Sequence, residues 1–406
     1  MSRSTLARVG LSAILAATLP VGMAACDHLT TEAPADGDVF DAPLDGLTAS
    51  ELAAFVQGDA EFGRRFSAAS GLGPIFNNVS CASCHSGDGR GRLSNALQRI
   101  GTIDDDMMRP VGGPQIQDKA IPGAHPERLP SGAVVSLRLP PPVFGVGLIE
   151  AIPEATIIAR ADPDDRDGDG ISGRPNWVTP NEYAESYGSG GLRLGRFGRK
   201  AQTSSLLEQT VEAYHQDMGI TSDYQPRENY NPLSSIPTEV SDRAVDPEVS
   251  LATVQAVVHY IRTLAPPHPG AETAQRTEGR TLFSSVGCAG CHVATMQTGP
   301  NSIAALANQP VELYSDLLLH DMGDALADRR PDGAANGREW RTTPLWGLRL
   351  MRDFLNGQAL LLHDGRARTV EEAILLHGGE AQRARDAFAA LNPAQRRALL
   401  DFVESR

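Results

Sequence analysis

The sequence is poor in three things. Only five of its 406 residues are cysteine; four of them fall in two runs of the same spacing, so Cys26 has no partner and a disulfide framework is excluded. Basic charge is short, with 36 Lys and Arg against 50 Asp and Glu and a formal charge of −14, which makes the chain a poor partner for nucleic acid. The leading apolar run, Val9 to Leu19, falls short of the roughly 20 residues that cross a bilayer as a helix. Glycine (40) and proline (28), by contrast, are abundant and mark many loops. A chain this long exceeds one ordinary core and implies two or three domains.

The paired cysteines carry the chemistry. Cys81-Ala82-Ser83-Cys84-His85 and Cys288-Ala289-Gly290-Cys291-His292 are Cys-x-x-Cys-His runs, the attachment signature of a c-type haem. Positions three and four apart share a helical face, so both thiols can add to the vinyl groups of one porphyrin while the histidine turns onto its iron. Zinc would need two further ligands at suitable spacing, and a dithiol redox site needs no adjacent histidine. Two copies of the run therefore read as two covalently bound haem c groups. A proximal histidine leaves one axial position open, and what fills it separates an electron carrier from a catalyst.

Residues 1–25 read as a cleaved signal peptide: Arg3 and Arg8 precede the apolar run, and Met23-Ala24-Ala25 leads to Cys26. The Ala-Ala-Cys ending resembles a lipoprotein box in which Cys26 is lipidated, and Asp27 resembles the mark that keeps such a protein on the inner membrane. An ordinary secretory signal with an incidental cysteine is the alternative. Both lead to the periplasm. The acidic balance suits a basic electron-carrier protein as partner, or serves solubility alone.

Residues 26–48 read as a flexible tether. Ser50, followed by Glu51, reads as the cap of an amphipathic helix reaching about Ser67. After the first haem run, residues from about 95 to 200 show weak periodicity and read as loops and short strands. Helices are expected at Ser204 to Asp217 and Pro247 to Leu264, and the Pro-rich stretch Ala265 to Gly270 marks a boundary. Beyond it the plan repeats: Ala256-Val257-Val258-His259-Tyr260-Ile261-Arg262 matches Ala398-Leu399-Leu400-Asp401-Phe402-Val403-Glu404 in its apolar positions. The expected architecture is mainly α, with two cytochrome c-like haem domains at 49–265 and 271–406, the first carrying a large loop-rich insertion.

Candidate distal ligands in glycine-marked contexts are His320, Met322, His363 and His377. His28 sits in the tether, His215 and His259 lie on helical patterns, and His125 between prolines has no evident role. Arg90 or Arg92, in a glycine-rich turn, could pair with a haem propionate. Asp165, Asp167 and Asp169 take positions 1, 3 and 5 of a calcium loop, with Gly170 at the turn, the Ile171 carbonyl at position 7 and Asn176 at position 12; a bare acidic turn is the alternative. Glu150 is a lone acid in an apolar stretch, either a proton carrier or a structural carboxylate bonded to backbone. Of the three tryptophans, Trp177, Trp340 and Trp346, one between two haems could relay an electron, and each could equally be core.

These segments carry a resemblance. Phe76-Asn77, Gly147 to Pro153, Asp165 to Asn176, Gly195-Arg196-Phe197-Gly198, Leu317 to Gly323, Trp340 to Leu348, His363 to Ala367 and His377 to Ala381 make the chain resemble the bacterial di-haem oxidoreductase family, described as peroxidases and in some members as thiol oxidoreductases. The final third is also similar to di-haem cytochrome c peroxidases and methylamine-pathway di-haem oxidases. The resemblance implies reduction of hydrogen peroxide with electrons from a small cytochrome c or cupredoxin, a calcium between the haem domains, and a distal acid to which Glu150 loosely corresponds. A thiol or sulfur-compound oxidoreductase and a non-enzymatic electron relay are the rivals. One departure stands out: those peroxidases place a distal methionine just before the Arg-Thr-Pro stretch, and Asp332 to Glu339 contains none. The second haem then borrows another ligand, Met322 being nearest in sequence, or is not a conventional high-potential haem.

Overall fold

Thr48, rather than Ser50, caps the first helix, Ala49–Gly63: its Oγ1 accepts from Glu51 N while Glu51 Oε2 accepts from Thr48 N at 2.7 Å, so two otherwise orphaned donors are satisfied reciprocally. This computed structural model describes residues 36–101, 115–129, 131–183, 191–229, 242 and 244–406. The leader, Cys26, Asp27, His28 and the first part of the tether lie outside the described residues.

The first helix crosses Leu251–Thr263 at Gly58, where a Cβ would stand 2.2 Å from Ala256 O and 2.6 Å from Tyr260 Cβ. In the second half Ala274–Ser285 crosses Pro393–Glu404 at Gly279, where a Cβ would stand 2.1 Å from Ala398 O and 2.7 Å from Phe402 Cβ. Ala256 and Tyr260 occupy the places in the sequence repeat that Ala398 and Phe402 occupy. The repeat thus returns as one packing solution used twice, a glycine admitting the backbone of the closing helix and an aromatic sealing the crossing.

The stretch from about 95 to 200 is loops with short strands. Among the described residues every sheet is a two-stranded antiparallel ribbon. Leu97–Ile100 pairs with Val135–Arg138, and Leu319–Asp321 pairs with Glu339–Arg341 in a register that sets Trp340 opposite His320. Two helices in this part of the chain, Val146–Ala151 and Glu154–Ile158, lie where only loops were expected; Gly147 permits the first to abut Arg262 O. Leu206–Glu212, capped by Ser205 and followed by a π-turn to Asp217, realises the next expected helix.

Residues 36–406 form one compact unit. The larger apolar core runs across the expected boundary, joining Phe55, Val254 and Tyr260 to Met296, Leu313 and Leu350, while a second gathers Phe283, Phe388 and Phe402. The later part of the tether is docked rather than free: Phe40 is buried against Phe144 and Phe354, and Ala42 O accepts from Ala265 N at 2.9 Å. A single phenylalanine among Asp and Pro suffices to pin it. Lys200, fully buried, donates to Asp328 Oδ1 and to the carbonyls of Arg330 and Asn336, and Arg138 bridges Asp328 and Asp332. This polar hub fixes the loops behind Trp340.

Candidate haem-binding centre

Ser80 caps the turn Cys81–Cys84 by accepting from Ser83 N at 3.1 Å, and His85 N donates to Cys81 O. The second run enters its turn through Gly287 at φ 99°, a conformation that favours glycine. All four cysteines are free. Burial pushes the Cys81, Cys84 and Cys288 thiols up to about 12 and raises Cys291 as well. Neutral thiols are poor zinc ligands and poor disulfide-exchange nucleophiles. Burial lowers His85 and His292 to about 4, which leaves both imidazoles neutral. His292 Nδ1 donates to Tyr314 O at 2.9 Å, so the Nε2 lone pair is available to a metal.

Each run opens on its own cavity, of about 170 Å³ beside Cys81, Cys84 and His85 and about 560 Å³ beside Cys288, Cys291 and His292. Pro142, Arg199, Arg341, Thr343, Pro344 and Trp346 line both and form the wall between them. Three guanidiniums here test whether a haem fits. Arg90, on the larger cavity, and Arg199 and Arg341, on both, are buried and form no ion pair among the described residues. Arg90 is bonded to Leu360 O, Arg199 to Leu139 O and Pro140 O, and Arg341 to Gly198 O and Thr342 O. Burial lowers all three, Arg90 and Arg341 to about 10, and Arg199 is lowered further by Arg90, Arg341 and Arg138. Asp364 offsets the cost for Arg90 and Arg199, and Asp316 for Arg341, but neither reaches them as an ion pair among the described residues; buried cations held mainly by carbonyls are costly, and haem propionates would supply a nearer counter-charge. The donor set and the charge therefore fit a haem in each cavity. Arg92 is exposed and lines neither.

The candidate distal residues His320, Met322, His363 and His377 all line the larger cavity. His320 is buried with Nδ1 2.7 Å from Glu380 Oε2 and Nε2 2.8 Å from Asp316 Oδ2. Those carboxylates outweigh desolvation and hold its pKa well above the usual value, while Glu380 falls to about 2 under the pull of His320 and Ser172. His363 stacks on Trp340 at 3.7 Å between ring centroids, and burial lowers it to about 3. The opposing influence on the Trp340 indole is cationic, with Lys200 Nζ 4.5 Å from its ring. Trp177 is partly exposed and lines neither cavity, whereas Trp346 lines both.

Glu150 lines neither cavity. Its Oε2 meets Arg262 Nε at 2.6 Å and its Oε1 accepts from Leu206 N at 2.8 Å, so it pairs one helix with the start of another. The carboxyl that does line the smaller cavity is Asp217, at the end of the π-turn, which gave no motif in the sequence. Gln115 Nε2 donates to it at 2.6 Å, and burial raises it to about 6.

Asp165, Asp167 and Asp169 bring carboxylate oxygens within 4.8 Å of one another, with Gly168 and Gly170 at positive φ. Asn176 does not join them. It is buried, its Nδ2 donating to Lys200 O and Asp332 O and its Oδ1 accepting from Ala334 N; the amide ties loops together, away from the three carboxylates. The Ile171 side chain meanwhile reaches the larger cavity, and Ser172 donates to Glu380, so the loop is tied to the second run.

A family model described as "Di-haem oxidoreductase, putative peroxidase" matches residues 23–101 and 128–406. None of the curated proteins matches. Among solved structures the chain is similar to hydrazine synthase of Kuenenia stuttgartiensis, at 14% identity and a TM-score of 0.39 over 98% of this chain and 100% of that one. It is also similar to a MauG-like protein associated with microbial copper homeostasis, at 15% identity and a TM-score of 0.30 over 70% of this chain and 93% of that one. Likenesses this low carry no argument about activity. The family match spans both Cys-x-x-Cys-His runs and the wall between their cavities, and the chain belongs to the di-haem oxidoreductase family.

Proposed function

We propose that this oxidoreductase is a periplasmic peroxidase with two covalently attached haem c groups, reducing hydrogen peroxide with electrons from a small cytochrome c or cupredoxin. The observation that carries it is the shared wall: two neutral-thiol Cys-x-x-Cys-His runs open on separate cavities divided by Trp346, Arg199 and Arg341. A haem bound in each supplies an iron that takes and gives single electrons. Peroxide reduction consumes two electrons and two protons and yields two waters, so one-electron donation has to be accumulated over two centres. Asp217, a buried acid raised to about 6 on the smaller cavity, is placed to hold and release protons there. Glu150 positions the helices around that cavity through Arg262 and Leu206. Trp346 packs its indole between the two sites, and the arginines orient propionates. The acidic surface suits a basic donor. In the same reading, Asp165, Asp167 and Asp169 hold a structural calcium, and Cys26 tethers the mature chain to the inner membrane.

The test is to mix the purified, haem-loaded protein with peroxide and a reduced small cytochrome c. Donor oxidation well above that given by free haem is expected. Oxidation no faster than free haem, with both haems in place, leaves an electron relay.

A further inference from the structure

Both Cys-x-x-Cys-His runs provide a proximal imidazole, but only the second cavity offers further histidines. To ligate iron a histidine must be neutral, with one nitrogen's proton donated elsewhere and the other's lone pair free; a backbone carbonyl on Nδ1 is the usual device. His292 has that arrangement through Tyr314 O. One other residue on the same cavity repeats it. His377 Nδ1 donates to Ala373 O at 2.7 Å, and its Nε2 makes no hydrogen bond. Both imidazoles line this one cavity, His292 from the haem run and His377 from the end of a helix. The ring is held from behind: His377 ends the Val370–Leu376 helix, its N–H donating to Ile374 O and its carbonyl accepting from Arg385 Nη1.

The competing residues lack this arrangement. Both ring nitrogens of His320 are held by carboxylates, which leaves no lone pair. His363 lies flat on Trp340 with its Nε2 3.7 Å from Asp364 Oδ2, and among the described residues no carbonyl accepts from its ring to fix one nitrogen as donor. Met322 lines the same cavity two residues beyond His320 and brings a thioether, not an imidazole.

We propose that His377 is the second axial ligand of the iron held by His292, so that this haem is bis-histidine. The proposal rests on the haem reading above. It accounts for the missing methionine before the Arg-Thr-Pro stretch and gives the second centre a lower potential than a His/Met haem, since a methionine ligand raises it. The smaller cavity, lined by no histidine besides His85, is then where an iron has room for substrate.

The experiment uses the full chain matured with haem. Pyridine haemochrome should give two haems per chain; fewer than two overturns the haem reading, and the proposal with it. With two present, the near-infrared charge-transfer band and the low-spin paramagnetic resonance signal of the oxidised wild type should be those of a bis-imidazole haem. A His/Met band, or no low-spin haem, overturns the ligand assignment alone. In His377→Ala one haem equivalent should turn high-spin and return to low-spin on adding imidazole, and in His377→Met it should acquire the His/Met band. His320→Ala, His363→Ala and Met322→Ala should leave the low-spin signal in place; its loss in any of these instead of in His377→Ala assigns the ligand elsewhere and overturns the proposal.

Discussion

Replacing Glu150 with glutamine separates structure from chemistry at a residue where the sequence leaves both open. The carboxylate meets Arg262 at 2.6 Å with the two side chains only 14% and 19% exposed, and it accepts from Leu206 N at 2.8 Å. Glutamine keeps the size and the carbonyl that serves Leu206, and removes the charge opposite Arg262. Removing one partner of a fully buried pair costs about 3–5 kcal/mol, and water at the edge of this one brings the expected loss to about 2–3 kcal/mol. At about 2 °C per kcal/mol for a chain of this size, Glu150→Gln should melt about 4–6 °C lower. Thermal unfolding followed by circular dichroism measures this, and peroxide turnover on the same preparation, well below the melt, should stay within a few-fold of wild type. An unchanged melting temperature with turnover down by about a hundredfold or more, the size expected for losing a general acid or base, would refute the reasoning and return the proton to Glu150.

The complementary substitution is Asp217→Asn, which should lower turnover by about 10²–10⁴-fold at unchanged haem content by pyridine haemochrome. The Asp316–His320–Glu380 cluster should leave a signature in pH. His320, raised above its ordinary 6.5, stabilises fully below that pH and loses its contribution as pH climbs toward its folded pKa; Glu380, lowered from 4.5 to about 2, stabilises fully above 4.5 and loses its contribution as pH falls. The melting-temperature gap between wild type and His320→Gln should be widest between about 4.5 and 6.5 and shrink on the alkaline side by about 1.4 kcal/mol per pH unit; a flat gap across that range would count against the pairing. Gly279→Ala and Gly58→Ala should each destabilise by at least about 1–3 kcal/mol in denaturant melts, because the new methyl meets a backbone carbonyl near 2 Å.

Much of this was legible in the chain, and the illegible part has a common cause. The haem runs are local, spacing-defined signals, and the repeat of Ala256 to Arg262 in Ala398 to Glu404 reports a helix crossing because side chains at fixed helical spacing must meet the same partner. The Asp165–Asp169 cluster follows from alternation in a tight loop. Arg199 and Arg341 have no such signal: their importance lies in their burial on the wall shared by the two cavities, which no window of sequence reveals. Asp217 looked like the last residue of an amphipathic helix until the π-turn placed it on the smaller cavity. Asn176 was assigned by counting along a loop template, whereas the chain leaves the loop early and spends the amide on Lys200, Asp332 and Ala334. Thr48 and Ser50 are chemically equivalent caps, and only the reach of Glu51 decided between them.

The three buried guanidiniums bear on how firmly the wall between the two cavities is held. Burying a cation costs several kcal/mol unless an anion meets it, and the carboxylates that act on these three, Asp364 and Asp316, do so without an ion pair among the described residues. Haem loading should therefore stiffen the wall around Arg90, Arg199 and Arg341, because propionates would bring anions nearer than Asp364 and Asp316 stand. The backbone of that wall should accordingly exchange its amide hydrogens more slowly in the loaded chain than in the unloaded one.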